Sequence, residues 1–386
     1  MPNSGIDSSS SSACSHRTPS PGAAAPARNE VVPTAATSPW EAPRTPRQEM
    51  AALLRHAAFL LNPDHWGSGP ANTESPAFAE VREHFQRALS QPPFHTAPAA
   101  AWRGLVELAI SYSAYTFRPP REVKREEAEA LVTWFACFWK LDDLVDADRE
   151  ALPAGYLPEL RRLLAQAWWG DETDAPAEAD AREDRQAFAS QAVALLMDHR
   201  RQLRALGFPL EHHPRYQRAV WDHIQSQTGE VPRVDSLAEY FGVRRVRGGM
   251  ECVFLMYLAL QGVEWRDEFE RIVDVANVVT CMTDDLFSAP RDAREGVVGA
   301  VALCGSERSL LTVRSLHHEL LDRLTRLVAF DDGPSTRLFV RTVLDVVLGM
   351  LDWQSRNPRY REGARWLADL LHSGAPANAG ADSSEH

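Results

Sequence analysis

The chain has 386 residues, 44% of them apolar and eleven of them Trp, enough for one large buried core. Its formal net charge is −12 and its only lysines are Lys124 and Lys140, so there is no basic stripe and a nucleic-acid partner is excluded. Five widely scattered cysteines form no CxxC pair, which excludes a disulfide framework or a cysteine zinc site and suits reduced core cysteines in a cytoplasmic protein.

Residues 1–47 are dominated by Ser, Pro, Ala and Thr and cannot bury enough apolar surface to offset the entropy of ordering, so they are expected to be a disordered arm. Their scattered Arg and Ser faintly suggest a transit peptide, but Asp7, Glu30 and the prolines argue for plain disorder. Residues 48–75 are expected to hold a short helix and a Gly/Pro-punctuated loop, "NPDHWGSGPANTESP". From 76 to 372 apolar residues recur at spacings of three and four, with Pro and Gly between segments, which predicts one all-α domain of about ten helices. The tail, 373–386, again reads as disordered. No apolar run reaches the roughly 18 residues of a membrane span. The doublets His212-His213 and His317-His318 lack an HExxH context and are read as surface or packing residues.

Within the helical region, Leu131, Phe135, Phe138, Asp142 and Asp146 are spaced four, three, four and four, so they share a helix face. The carboxylates therefore continue an apolar stripe, and Asp143, about 100° round the helix, reaches the same region from the side. Carboxylates facing inward need a positive partner; two of them one turn apart suit a hard cation such as Mg²⁺. A second stripe repeats the pattern with Val273, Asn277, Thr280, Asp284 and Ser288, and Asp292 follows one turn later. Two apolar faces that each end in oxygen donors imply a greasy pocket with a metal-binding rim. Between them, "RRVRGG" places Arg244, Arg245 and Arg247 before the pair Gly248-Gly249, a deliberate helix break preceded by natural partners of phosphate oxygens. Near the end, Arg359 and Tyr360 follow Trp353.

Together these residues, over about 90–372, resemble a class I terpene synthase of the bacterial type. "DDLVD" resembles the aspartate-rich motif, "DDLFSAPRD" the second metal motif, "RRVRGG" the diphosphate-sensing and helix-break region, and "RY" the C-terminal diphosphate-binding pair. The resemblance implies a single α-helical bundle around a central aromatic-lined cavity, and three Mg²⁺. It implies metal ligation by Asp142, Asp143 and Asp146 and by Asp284, Ser288 and Asp292. It makes Arg244 the diphosphate sensor, Arg247 its linker and Gly248 the effector carbonyl. Arg291, Arg359 and Tyr360 would meet the diphosphate, and Phe135, Phe138, Trp353 and Asn277 the substrate chain.

Five features depart from the family pattern, two of them Asp284 where Asn is commoner and Arg247 where Thr or Asp is usual. Asp292 stands for Glu, and Pro290 sits within the motif and is expected to bend or end the helix. If the helix continues, Glu295 shares that face and could supply the ligand instead. The interval from Arg244 to Asp284 is short, as a short loop at "QGVEWRDEF" would explain. The implied activity is Mg²⁺-dependent ionisation and cyclisation of a linear isoprenyl diphosphate, farnesyl diphosphate first and geranylgeranyl diphosphate next, by a cytoplasmic homodimer. A chain-elongating prenyltransferase and a non-catalytic helical scaffold are the alternatives.

Overall fold

The computed structural model describes residues 50–373 apart from stretches within 51–70, 91–98, 119–121, 149–151, 171–183, 209–212 and at 231, and leaves the side chains of 99–101, 143–148 and 184–187 outside the description. The expected arm and tail also lie outside it. The chain divides into Met1–Glu41, outside the described residues, and Ala42–His386, which carries every element below. Of the helix expected over 47–61, only Met50, Leu53, Leu54 and Ala57 are described, each helical.

Among the described residues there is no strand, as the three-and-four spacing requires. The helices are α1 (Pro76–Ala88), α2 (Ala99–Thr116), α3 (Arg125–Asp148), α4 (Tyr156–Trp169), α5 (Asp184–Ala205), α6 (Pro214–Thr228), α7 (Leu237–Arg247), α8 (Met250–Leu260), α9 (Asp267–Glu295), α10 (Ala300–Cys304), α11 (Ser306–Phe330), α12 (Pro334–Arg356) and α13 (Arg361–Ser373). Among the described residues from 76 onward these thirteen exceed the ten or so expected, partly because Gly248-Gly249 splits one helix and α10 is only five residues long. Their starts follow local chemistry. Ser236 caps α7 by accepting from the Glu239 N–H, while the Glu239 carboxylate accepts from the Asp235 N–H. Pro76, Pro214 and Pro334 stand in the first turns of α1, α6 and α12, where a missing N–H does no harm.

Several helices are buried on most sides, among them α12 over the whole run Thr342–Gln354 and α8 from Cys252 to Leu258. Ala130 to Phe138 are buried in succession on α3, and Ala276, Asn277 and the run Val279–Thr283 are buried on α9. Helices buried all round belong in the interior of a bundle. α3 packs against α1, α2, α5 and α6; α9 packs against α7, α8, α10, α11, α12 and α13. α12 joins the two groups, because it packs on α2 and also on α9. Its Gly349 allows this: a side-chain carbon there would strike the Tyr115 backbone on α2. Further along, Phe269 of α9 and Phe339 of α12 stack with ring centroids 3.7 Å apart.

Cys137, Cys252 and Cys281 are buried free thiols, as the scattered spacing suggests. His317 is buried against Thr283, and His213 packs on Phe208. No helix among the described residues is long and apolar enough to cross a membrane.

Candidate active site

α9 runs unbroken from Asp267 through Pro290 to Glu295, where Gly296, at φ 71°, ends it. Pro290, expected to bend or end the helix, does not end it. Proline removes one N–H and crowds the carbonyl four residues back. Here the Ser288 hydroxyl donates to Asp292 Oδ2 at 2.6 Å across the proline, which pins both flanks of the helix. The short loop expected near Gln261 is present, between the end of α8 at Leu260 and the start of α9 at Asp267.

Asp284 is the meeting point of three helices. Its Oδ2 accepts from Arg244 Nη2 at 3.0 Å, and its Oδ1 from Gln354 Nε2 at 2.8 Å and the Tyr360 hydroxyl at 3.0 Å. Asp285, 4% exposed, takes Arg244 Nε at 3.0 Å on one oxygen and the Tyr240 hydroxyl at 2.6 Å on the other. The guanidinium thus bridges two carboxylates. Burial opposes its charge, but Asp285, Tyr240, Cys281 and Asp284 outweigh burial and hold its pKa well above the ordinary value. Burial raises the Asp285 carboxyl, against the pull of Arg244 and Tyr240. Burial and the negative field of Asp284 likewise raise the Tyr360 hydroxyl, so it stays a donor.

The two candidate acids at the end of α9 differ. Asp292 is 14% exposed at its side chain and receives Ser288 and, at 3.2 Å, Arg291 Nη2. Glu295 is 57% exposed and pairs with Arg291 Nε at 3.7 Å. Every donor atom in the row Asp284, Ser288, Asp292 is an oxygen, the set that fits a hard divalent cation. No group of three or more His, Cys, Asp or Glu is gathered among the described residues, because this row is two carboxylates and a hydroxyl.

On α3, Asp142 is partly exposed at the end of the buried stripe. The side chains of Asp143 and Asp146 lie outside the described residues. Aromatic rings link this helix end to α9. Trp139, on the turn before Asp142, stacks on Trp353 at 6.0 Å and 15°; Trp353 meets Tyr360 at 5.4 Å; Tyr360 reaches Asp284. Tyr112 of α2 joins Phe135, Trp139 and Trp353 at 4.6, 5.7 and 5.1 Å. Phe138 instead packs against Trp134 at 3.8 Å and His223 at 5.0 Å.

The helix break stands where the glycine pair predicts it, and its two glycines have separate reasons. Gly249 has φ 65°, which disfavours any side chain. Gly248 has an ordinary φ of −68°, but a side-chain carbon there would collide with Cys281 Sγ on α9. Asn277, expected at the substrate, is fully buried and donates to the Arg245 carbonyl at 2.9 Å; it supports the break from behind. Arg247 sits near Gln227, with Nη2 3.4 Å from its Oε1. Arg359 is exposed while its neighbour Tyr360 turns inward.

Sequence reasoning missed Tyr240, Asp285, Gln354 and Tyr112. Tyr240 stands four residues before Arg244 and shares its face, so helical spacing could have found it. Gln354 has no local signal, because its partner Asp284 is 70 residues away.

Residues 133–314 match the family model described as terpene synthase family 2, C-terminal metal binding. That span takes in Asp142, Arg244 and the α9 row and stops before Trp353. No curated protein matches the sequence. Among solved structures, germacradien-4-ol synthase from Streptomyces citricolor is similar at a TM-score of 0.53 and 16% identity, over 75% of this chain and 96% of that one. A variant of cucumene synthase is similar at 0.55 and 18%, over 76% and 98%. Linalool/nerolidol synthase from Streptomyces clavuligerus, in complex with 2-fluorogeranyl diphosphate, is similar at 0.53 and 16%, over 76% and 97%. The shared all-α fold and the two acidic helices agree with the family match, and residues 133–314 of this chain are a terpene synthase family 2 metal-binding region.

Proposed function

We propose that this terpene synthase ionises and cyclises a linear isoprenyl diphosphate with Mg²⁺, farnesyl diphosphate first and geranylgeranyl diphosphate next, and releases a terpene hydrocarbon or alcohol and diphosphate. One observation carries the reading: Arg244, Tyr360 and Gln354 converge on Asp284 at the end of a row of aromatic rings that leads back to the turn before Asp142.

The residues divide the work by chemistry. Asp142, with Asp143 and Asp146, and Asp284, Ser288 and Asp292 would hold the cations. Bound Mg²⁺ supplies neutralisation of the departing diphosphate. Asp292 is the better third ligand of the α9 row, since it is sheltered and already bonded to Ser288, while Glu295 is largely exposed. Arg244, Arg291, Arg359 and Tyr360 offer fixed donors to the leaving group, and preorganised donors of this kind favour the charge that develops on it. In the same reading Arg247 would link the diphosphate sensor to the break and Gly248 would supply the effector carbonyl. Tyr112, Phe135, Trp139 and Trp353 exclude water, and each aromatic face stabilises a nearby carbocation by about 0.5–2 kcal/mol.

The terpene synthase family match supports cyclisation over chain elongation. Gas chromatography of products from ten-, fifteen- and twenty-carbon diphosphates tests the substrate. The expected result is a terpene from the fifteen-carbon diphosphate that disappears with a chelator. Asp142→Ala is expected to abolish turnover and Ser288→Ala to weaken the Mg²⁺ dependence, with Asp292→Ala more damaging than Glu295→Ala. Absence of diphosphate release from every prenyl diphosphate would sink the reading.

A further inference from the structure

The last carbonyls of a helix have no partner within it. At the end of α7 they are taken one by one. The Gly248 N–H donates to the Arg244 carbonyl at 2.8 Å. Asn277 Nδ2, on α9, donates to the Arg245 carbonyl at 2.9 Å. On α6, His223 Nδ1 bonds the Val246 carbonyl at 3.1 Å, beside the Gly249 N–H at 3.2 Å, and Gln227 Nε2, one turn later, donates to the Arg247 carbonyl at 3.0 Å. A carbonyl only accepts, so the His223 proton sits on Nδ1. Burial draws this histidine down to about 4, so the ring is neutral. The negative end of the α7 dipole is therefore collared by three neutral side-chain donors from two other helices.

The same imidazole also fills space. A side-chain carbon at Gly249 would lie 3.0 Å from His223 Cε1, and the ring meets Phe138 at 5.0 Å. Phe138 is one turn before Asp142. The turn borders a hollow of about 210 Å³ lined in part by Ala219, Asp222, Val246 and Gly249, so it has room to shift when the collar loosens.

We propose that His223 is a positioning residue for the ionisation step: it holds the Val246 carbonyl and, wedged between Phe138 and Gly249, ties the wall beside Asp142 to the turn that carries Arg244 and Gly248. This rests on the reading that Arg244 and Gly248 serve the diphosphate end of the substrate. Two variants separate the roles. His223→Phe keeps a ring and removes the donor; His223→Asn keeps an amide N–H near the Nδ1 position and removes the ring.

Amide hydrogen exchange across 244–253 reads the collar without substrate, and steady-state kinetics with farnesyl diphosphate and Mg²⁺ reads the chemistry. His223→Phe is expected to exchange at least about tenfold faster there. Its kcat should fall at least about tenfold with KM within about threefold. His223→Asn is expected to keep the wild-type exchange and at least about a third of kcat, with a changed product ratio. Wild-type exchange and rate in His223→Phe, or equal impairment in His223→Asn, would overturn the proposal. If His223→Phe does not fold, Gln227→Leu is expected to give the same faster exchange over 244–253, and unchanged exchange in it would overturn the collar. A wild-type protein that ionises no prenyl diphosphate, with the exchange differences intact, would refute the assigned reaction and leave the collar standing.

Discussion

Two stretches of this chain carry residues that ordinarily end a helix, and only one of them does. At Gly248-Gly249 the chain breaks between α7 and α8; at Pro290 it runs on to Glu295. The difference lies in what neighbours offer the backbone. At the glycine pair, His223, Gln227 and Asn277 supply donors for the carbonyls of α7, and Cys281 leaves no room for a side chain. At the proline, one N–H is lost, but Ser288 and Asp292 bridge it, and α13 packs so closely that a side chain at Gly363 would strike the Phe287 backbone. A break forms where other helices satisfy the orphaned carbonyls; a helix survives a proline where other contacts hold its flanks.

The largest test of this contrast removes the α9 side of the break. Asp285→Ala leaves the Arg244 guanidinium with Asp284 alone and the Tyr240 hydroxyl without its acceptor, and is expected to destabilise by about 1.5–3 kcal/mol in urea unfolding, with loss of turnover. A change below about 1 kcal/mol would mean that Asp284 alone suffices for Arg244 and that the break does not lean on Asp285.

Gly248→Ala is next. Overpacking against Cys281 is expected to destabilise by about 1–3 kcal/mol and to lower turnover, with Cys281→Ala in the same chain restoring most of the stability. Failure of that second change to restore anything would move the cause to the Arg244 carbonyl, the other atom a new side chain would crowd.

Pro290→Ala should act in the opposite direction, because it returns a hydrogen bond to a helix that is already continuous. A gain of about 1 kcal/mol in the unfolding free energy is expected, with turnover within about twofold of the wild type. A large loss of turnover would show that the proline shapes the metal row.

The smallest effect sharpens the contrast by pH. His317 packs against Thr283 on α9 and is held by burial at about 4, below its unfolded value of about 6.5. The unfolded chain therefore takes up a proton first as pH falls, so stability present above pH 6.5 is lost progressively towards pH 4. Between pH 7 and 6 this histidine accounts for about 0.7 kcal/mol. His317→Asn should remove about that much from the pH dependence of unfolding. An unchanged slope would mean that the ring takes up its proton in the fold as readily as in the unfolded chain.

The periodicity that betrays α3 and α9 is a local property, and so both acid-ended stripes were legible: Phe135 to Asp142 and Asn277 to Asp284 keep one face whatever surrounds them. Asp285 was not, because it lies about 100° round from Asp284 and leaves the stripe. Its function depends on Tyr240 and Arg244 arriving from α7. Asn277 is the converse case: the resemblance put it at the substrate, while the bond its amide makes is to a backbone carbonyl of the neighbouring helix.

By itself the sequence determined the all-helical class, the two apolar stripes that end in acids and the position of the break, since spacing along a helix and the absence of a side chain at glycine are properties of the chain alone. Only the tertiary structure decided that α9 survives Pro290, that Asp292 is sheltered and Glu295 exposed, and that His223 and Gln227 close the end of α7. Those outcomes depend on donors and close contacts brought from distant parts of the chain, and no local pattern encodes which partner will arrive.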